Sequence, residues 1–121
     1  MPLLEGRGRF LDDLRRPGTA YLGVVRSLHA HARIRGIDAD QARAMPGVTV
    51  YAAADLPEVA RGIPAPFGGA PSTRPYVQSI LAPEVVRYVG EPVAVVVADD
   101  PYRLGDAMDG VVVDYDPLPA V

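Results

Sequence analysis

The chain has 121 residues, no cysteine and a formal net charge of −3, with 49% hydrophobic and 22% charged residues, the ordinary balance of a globular protein. That length fits one compact domain, in which about two-thirds of the unfolded surface can be buried, so no disulfide or metal is needed to hold a core. The missing cysteine excludes disulfides, thiolate metal sites, iron–sulfur ligation and a cysteine nucleophile, and the acidic balance argues against nucleic-acid binding, which needs a basic face.

In chain order, residues 1–18 hold MPLLEGRGRF, an acidic pair and a Pro17-Gly18 turn signal, and read as an irregular opening segment. The first ten lack the charged-then-apolar plan of a secretory signal, and the longest apolar run, Val93 to Ala98, is too short to cross a bilayer. The expected setting is the cytoplasm, with no membrane partner. Thr19 to Ser27 is rich in β-formers and predicts a strand. Ala32 to Ile37 alternates Ile34 with Arg33 and Arg35, the pattern of a half-buried strand. Asp38, with Gln41 three residues on, resembles a capping box and predicts a short helix, ended by Pro46-Gly47. Val48 to Ala52 predicts a third strand.

Residues 56–79 carry Pro57, Pro64, Pro66, Pro71 and Pro75 with Gly62, Gly68 and Gly69, a spacing of breakers that neither helix nor strand survives. So long a loop is expected to be functional, partner-bound or disordered. Its large apolar residues, Ile63, Phe67 and Tyr76, are the candidate interface. Val85 to Tyr88 predicts a short strand and Gly90-Glu91-Pro92 a turn. Val93 to Ala98, apolar at every position, predicts the centre of a sheet covered on both sides. Asp100 before Pro101 predicts a helix start, with the helix running to about Asp109, Gly110 closing it, and Leu104, Ala107 and Met108 on one face. Val111 to Tyr115 predicts the last strand. The order implies an α+β fold, a mixed sheet with two short helices packed on it.

Few residues suggest chemistry. His29 and His31, two apart on a strand, would share a face and could offer two imidazoles to a metal, yet no third ligand stands at a recognisable spacing. A structural or interface role is the better reading. Gly6-Arg7-Gly8 follows no strand and opens no helix, so it lacks the context of a phosphate loop. Glu91, between Gly and Pro beside the most apolar strand, is a candidate general base or a turn-anchoring acid. Anchoring is preferred, because no partner acid, histidine or nucleophile accompanies it. Asp12-Asp13, Asp99-Asp100, Asp114 and Asp116 read as capping, turn or solvated groups, and Ser27, Ser72 and Ser79 lack nucleophile-elbow surroundings. All twelve basic residues are arginine, scattered along the chain, which reads as composition and not as an anion site.

Five strings in register, GRGRFLDDLRRPG (6–18), VVRSLHAHARIRGID (24–38), ARAMPGV (42–48), VRYVGEPVAVVVADD (86–100) and VDYDPLPAV (113–121), resemble the α/β-hammerhead domain of the molybdopterin-binding large subunit in the xanthine dehydrogenase, aldehyde oxidase and carbon monoxide dehydrogenase family. The resemblance covers nearly the whole chain. Leu28 departs from a usual Pro, Gly105 and Gly110 from helix formers, and Val112 from a charged residue. The resemblance implies an N-terminal structural and assembly domain of a molybdenum hydroxylase, without catalytic, cofactor-binding or metal-binding residues of its own. The molybdenum cofactor is expected in the remainder of the subunit, and iron–sulfur clusters and FAD in other segments or subunits, so those are the implied partners. A standalone hammerhead binding or adaptor module is the alternative.

Overall fold

A strand that is apolar at every position must be covered on both faces, and the fold is organised around one such strand. The computed structural model describes residues 3–11, 14, 16–57, 62–63 and 78–120. Their elements run β1 (Tyr21–Arg26), β2 (Ala32–Asp38), α1 (Asp40–Arg43), β3 (Val48–Ala52), β4 (Val85–Val86), β5 (Pro92–Ala98), α2 (Pro101–Asp109) and β6 (Val112–Pro117), with a 3-10 turn at Ala53–Asp55. The strands form two three-stranded sheets, ordered β1-β5-β3 and β4-β2-β6. All the pairings between them are antiparallel. The α+β class with two short helices agrees with the sequence. The single mixed sheet resolves into two sheets, because β5 and β2 each take neighbours on both sides.

β5 is central, as its composition demands. On one pleat Ala94 and Val96 join Val50 beneath Ala39 and Ala42 at α1 and Ala107 on α2, with Leu104 and Met108 packed alongside. On the other pleat Val93 joins Ala32, Ala82 and Val86, flanked by Ile34, Val113 and Tyr115. Ile37 packs against both clusters. Each fully buried valine contributes about 1.5–3 kcal/mol relative to an exposed one, so Val86, Val93 and Val96, all fully buried, are the main apolar anchors.

Helix α2 begins as the sequence predicts. Asp100 accepts from the backbone N–H groups of Tyr102 at 2.9 Å and Arg103 at 3.0 Å, with Pro101 in the first turn. The helix lies close over β1 because Gly23 has no side chain: a Cβ there would stand 2.2 Å from Met108 Sδ. Gly110 closes the helix in right-handed conformation. Its smallness serves packing, since a Cβ would stand 3.3 Å from the Ala42 nitrogen of α1.

Helix α1 corrects the sequence. It starts at Asp40 with Ala39 at the cap position and no side-chain cap. Asp38 instead ends β2, where Ile37 and Asp38 pair with Val113 and Val112 of β6. Its Oδ1 accepts from the Asp40 N–H at 3.1 Å, a turn in place of a capping box. Ladder hydrogen bonds from a strand far along the chain outweigh the local cap. The other strands shift by a few residues: β1 is shorter than expected because Ser27 leaves the ladder, and β4 stops at Val86 before a turn through Tyr88–Gly90. Most of 56–79, including Phe67 and Tyr76, lies outside the described residues. Within that stretch Gly62 and Ser79 form an isolated antiparallel bridge, and the Ile63 N–H donates to Gln78 O at 2.9 Å.

Gly105 lies inside α2, exposed, without a positive φ and with nothing within 4 Å of an added Cβ. Gly105→Ala is therefore expected to stabilise the protein by about 0.5–1 kcal/mol. Chemical denaturation at unchanged m-value measures it, and a loss of stability would contradict this helical environment.

Candidate functional site

Ser27, His29, His31 and Glu91, all weighed in the sequence, lie at the junction between the two sheets. Where β1 ends, Ser27 is 1% exposed. Its backbone N–H donates to Glu91 O at 2.9 Å, and its carbonyl accepts from the Gly90 N–H at 2.8 Å. Its hydroxyl donates to His29 O at 2.9 Å and accepts from the His29 N–H at 3.0 Å. Arg26 adds a guanidinium bond to Gly90 O at 2.9 Å. Thus the Ser27 backbone ties the end of β1 to the turn before β5, and its side chain ties that point to the approach to β2.

Glu91 is 2% exposed. Its Oε2 accepts from the Arg87 backbone N–H, and its Oε1 lies 3.8 Å from Arg87 Nη1. Its own N–H donates to Tyr88 O at 3.2 Å. The carboxylate thus closes the turn between β4 and β5, the anchoring role that the sequence favours. Buried charges require such partners. As a base it would need a substrate proton within reach, and its carboxylate contacts are to Arg87.

His29 and His31 are not on a strand; β2 starts at Ala32, so they do not share a pleat. The His29 ring packs on Tyr115 of β6, with centroids 4.9 Å apart and planes tilted by 54°. His31 Nδ1 lies 2.6 Å from Pro119 O. A carbonyl only accepts, so that nitrogen carries the proton. The pair is separated by the turn that precedes β2, and its two rings serve different contacts. Among the described residues, no group of three or more His, Asp or Glu side chains is placed to hold a metal ion.

The Tyr115 hydroxyl is buried without a hydrogen-bond partner. Burial pushes its phenol above the ordinary tyrosine value, partly offset by the nearby Ser27 hydroxyl, which falls short of bonding geometry. The sequence offers Ser27 only as a serine without nucleophile-elbow surroundings, and Tyr115 only as the end of the last strand. The role of Ser27 depends on Glu91, far along the chain, and no local motif signals it.

The remaining candidates are structural. Asp99 pairs with Arg103, and Asp116 with Arg35 at 2.5 Å. Asp55, not among the sequence candidates, accepts from the Ala52 N–H at 2.7 Å. Arg7 pairs with Glu5 on the surface. Leu28 and Val112 are exposed. Asp12, Asp13 and Ser72 lie outside the described residues. An open cleft of about 470 Å³ borders the junction, lined by His31, Arg87, Tyr88, Val89 and Pro119 among others. No serine, threonine or carboxylate side chain is among the residues that line it. No helix among the described residues is long and apolar enough to cross a membrane.

Glu91→Ala should cost about 1–3 kcal/mol, because the part-buried Arg87 N–H would lose its carboxylate acceptor. Denaturation of the variant measures it; an unchanged midpoint would contradict the clamp. Tyr115→Phe should be neutral or slightly stabilising, since it removes an unpaired polar atom. The sign for pH follows from the raised phenol. A group whose folded value exceeds its unfolded one contributes fully below the unfolded value and loses that contribution as pH rises through the folded value. The wild type should therefore lose stability in the alkaline range, and Tyr115→Phe should lose less of it.

A family profile described as the a/b hammerhead domain of aldehyde oxidase and xanthine dehydrogenase matches residues 5–119. The chain is 43% identical over 118 residues to the carbon monoxide dehydrogenase large chain of Afipia carboxidovorans, covering 97% of itself and 14% of that protein. It is 42% identical over 120 residues to the nicotine 6-hydroxylase large subunit of Paenarthrobacter nicotinovorans, covering 98% of itself and 15% of that protein. Its fold superposes on a crystal structure of the copper- and molybdenum-containing carbon monoxide dehydrogenase with a TM-score of 0.84 at 43% identity, covering 98% of this chain and 14% of that one. The chain therefore spans about one-seventh of the length of these relatives.

Proposed function

The chain belongs to the aldehyde oxidase and xanthine dehydrogenase a/b hammerhead family, and from that premise we propose that it is a structural and assembly domain of a molybdenum-hydroxylase large subunit, non-catalytic as an isolated chain. The observation that carries this reading is the coverage: nearly all of the chain aligns with 14% of a large chain. The junction geometry supports it, because the buried polar groups Ser27 and Glu91 are used to join strands.

The activity proposed for the whole subunit is oxidation of a C–H bond with water-derived oxygen, or of CO in the carbon monoxide branch. The residues in hand do not fit its cofactors. The sequence has no cysteine for iron–sulfur ligation, and the described residues assemble no set of donors for a metal. We accordingly place the molybdenum cofactor in the remainder of the subunit, and the iron–sulfur clusters and FAD in partner segments or subunits. Ile63, 47% exposed, is proposed as an interface residue together with Phe67 and Tyr76. A covalent tether keeps local concentration high, so modest intrinsic affinity suffices for such docking.

The test is to express residues 1–121 and the polypeptide that continues them as separate chains. The two should co-purify, and the continuing polypeptide should lose activity when this chain is omitted. Ile63→Asp should weaken association while leaving the circular dichroism spectrum unchanged. No association at about 100 µM, a concentration that captures even weak complexes, would restore the standalone-module reading. Full activity of the continuing polypeptide alone would do the same.

A further inference from the structure

The β1-β5-β3 sheet carries its two helices on one face only. Its register places Leu22, Val97 and Thr49 in one row and Val24, Val95 and Tyr51 in the next. Directly opposed residues point to the same side of a sheet, so these six share the face turned away from α1 and α2. The intervening rows carry Val96 and Val50, then Val25 and Ala94, which pack beneath the helices. On the outer face Leu22 is 62% and Tyr51 41% exposed, Thr49 is exposed, and Val24, Val95 and Val97 are half-buried. None of the six is charged. A solvated antiparallel face normally alternates to polar residues. Here the outward positions are nearly as apolar as the inward ones, the composition of a face that is covered.

We propose that this face docks against the remainder of the large subunit, on an uncharged, apolar protein surface of the same polypeptide. This rests on the reading that the chain is part of such a subunit. In the Afipia carboxidovorans relative the matching region is 14% of the chain, so most of that protein stands available to cover it. The size of the face points the same way. A stable complex between separate proteins uses about 20–30 residues a side, far more than these two rows supply, whereas a tethered contact needs little intrinsic affinity. The lack of charge disfavours a phosphate-bearing partner.

The natural chain has no cysteine, so single thiols report directly on this face. Leu22→Cys and Tyr51→Cys are placed in the 121-residue chain and in the longer polypeptide that continues it, with Tyr102→Cys on the exposed side of α2 as control. Maleimide labelling at each site is followed by peptide mass spectrometry. Labelling of Leu22→Cys and Tyr51→Cys should slow by about tenfold or more in the longer polypeptide, the scale of a shielded interface position, while Tyr102→Cys labels at one rate in both. Leu22→Glu should also weaken co-purification of the separate pieces. Equal labelling in both lengths, or equal protection of Tyr102→Cys, overturns the assignment of this face. If the pieces still co-purify in that case, the domain reading stands and the contact lies elsewhere. If the pieces neither associate nor depend on each other, both readings fall. Protection that appears in the short chain alone as its concentration rises, with a dimeric mass in sedimentation, assigns the face to a second copy and overturns the proposal.

Discussion

The burial of β5 is the constraint on which the rest of the structure depends. Seven residues without a charge or a free polar side chain, from Pro92 to Ala98, cannot sit at a solvated edge. β1 and β3 flank the strand and satisfy its backbone. α1 and α2 cover Ala94 and Val96, and the second sheet covers Val93. Small residues let this happen at close range: Gly23 admits Met108, and the alanines Ala42, Ala94 and Ala107 keep helices near the strands. The core therefore gains stability from many short contacts and not from large aromatic side chains.

The junction of the two sheets shows how polar groups can be buried without chemistry. Ser27 and Glu91 are the buried polar side chains of the described core, and both are bonded to backbone groups. Each removes a cost that irregular backbone would otherwise impose, since an unpaired N–H away from water destabilises by an amount comparable to a lost hydrogen bond. A serine and a carboxylate near a histidine invite a catalytic reading on a residue list alone. The bond directions argue against it, because the hydroxyl bonds to the His29 backbone while the imidazole faces Tyr115.

A fold hosts function through the sites placed on it. What this chain supplies is a two-sheet body with a net negative charge and an apolar outer sheet face. Surface ion pairs such as Arg35–Asp116 are exposed and contribute little to stability. The apolar surfaces are the features with consequences for assembly.

Local sequence determined the elements that local physics controls. The Asp100-Pro101 start of α2, the apolar run of β5 and the alternation of β2 each bring their own cause, and each formed where the residues indicate. The family was legible for a similar reason, since five strings keep their order along the chain. Local sequence misplaced the start of α1, because Asp38 had a competing partner in Val112 that is not nearby in the chain. It also put His29 and His31 on one pleat, whereas Ser27 bends the chain out of β1 ahead of them. The division of the strands into two sheets, the meeting of Ser27 with Glu91, and the apolar outer face of β1, β5 and β3 were decided by tertiary structure alone. Each depends on pairing between residues tens of positions apart, and a period of two or of 3.6 along the chain carries no information about which distant strand will supply the partner.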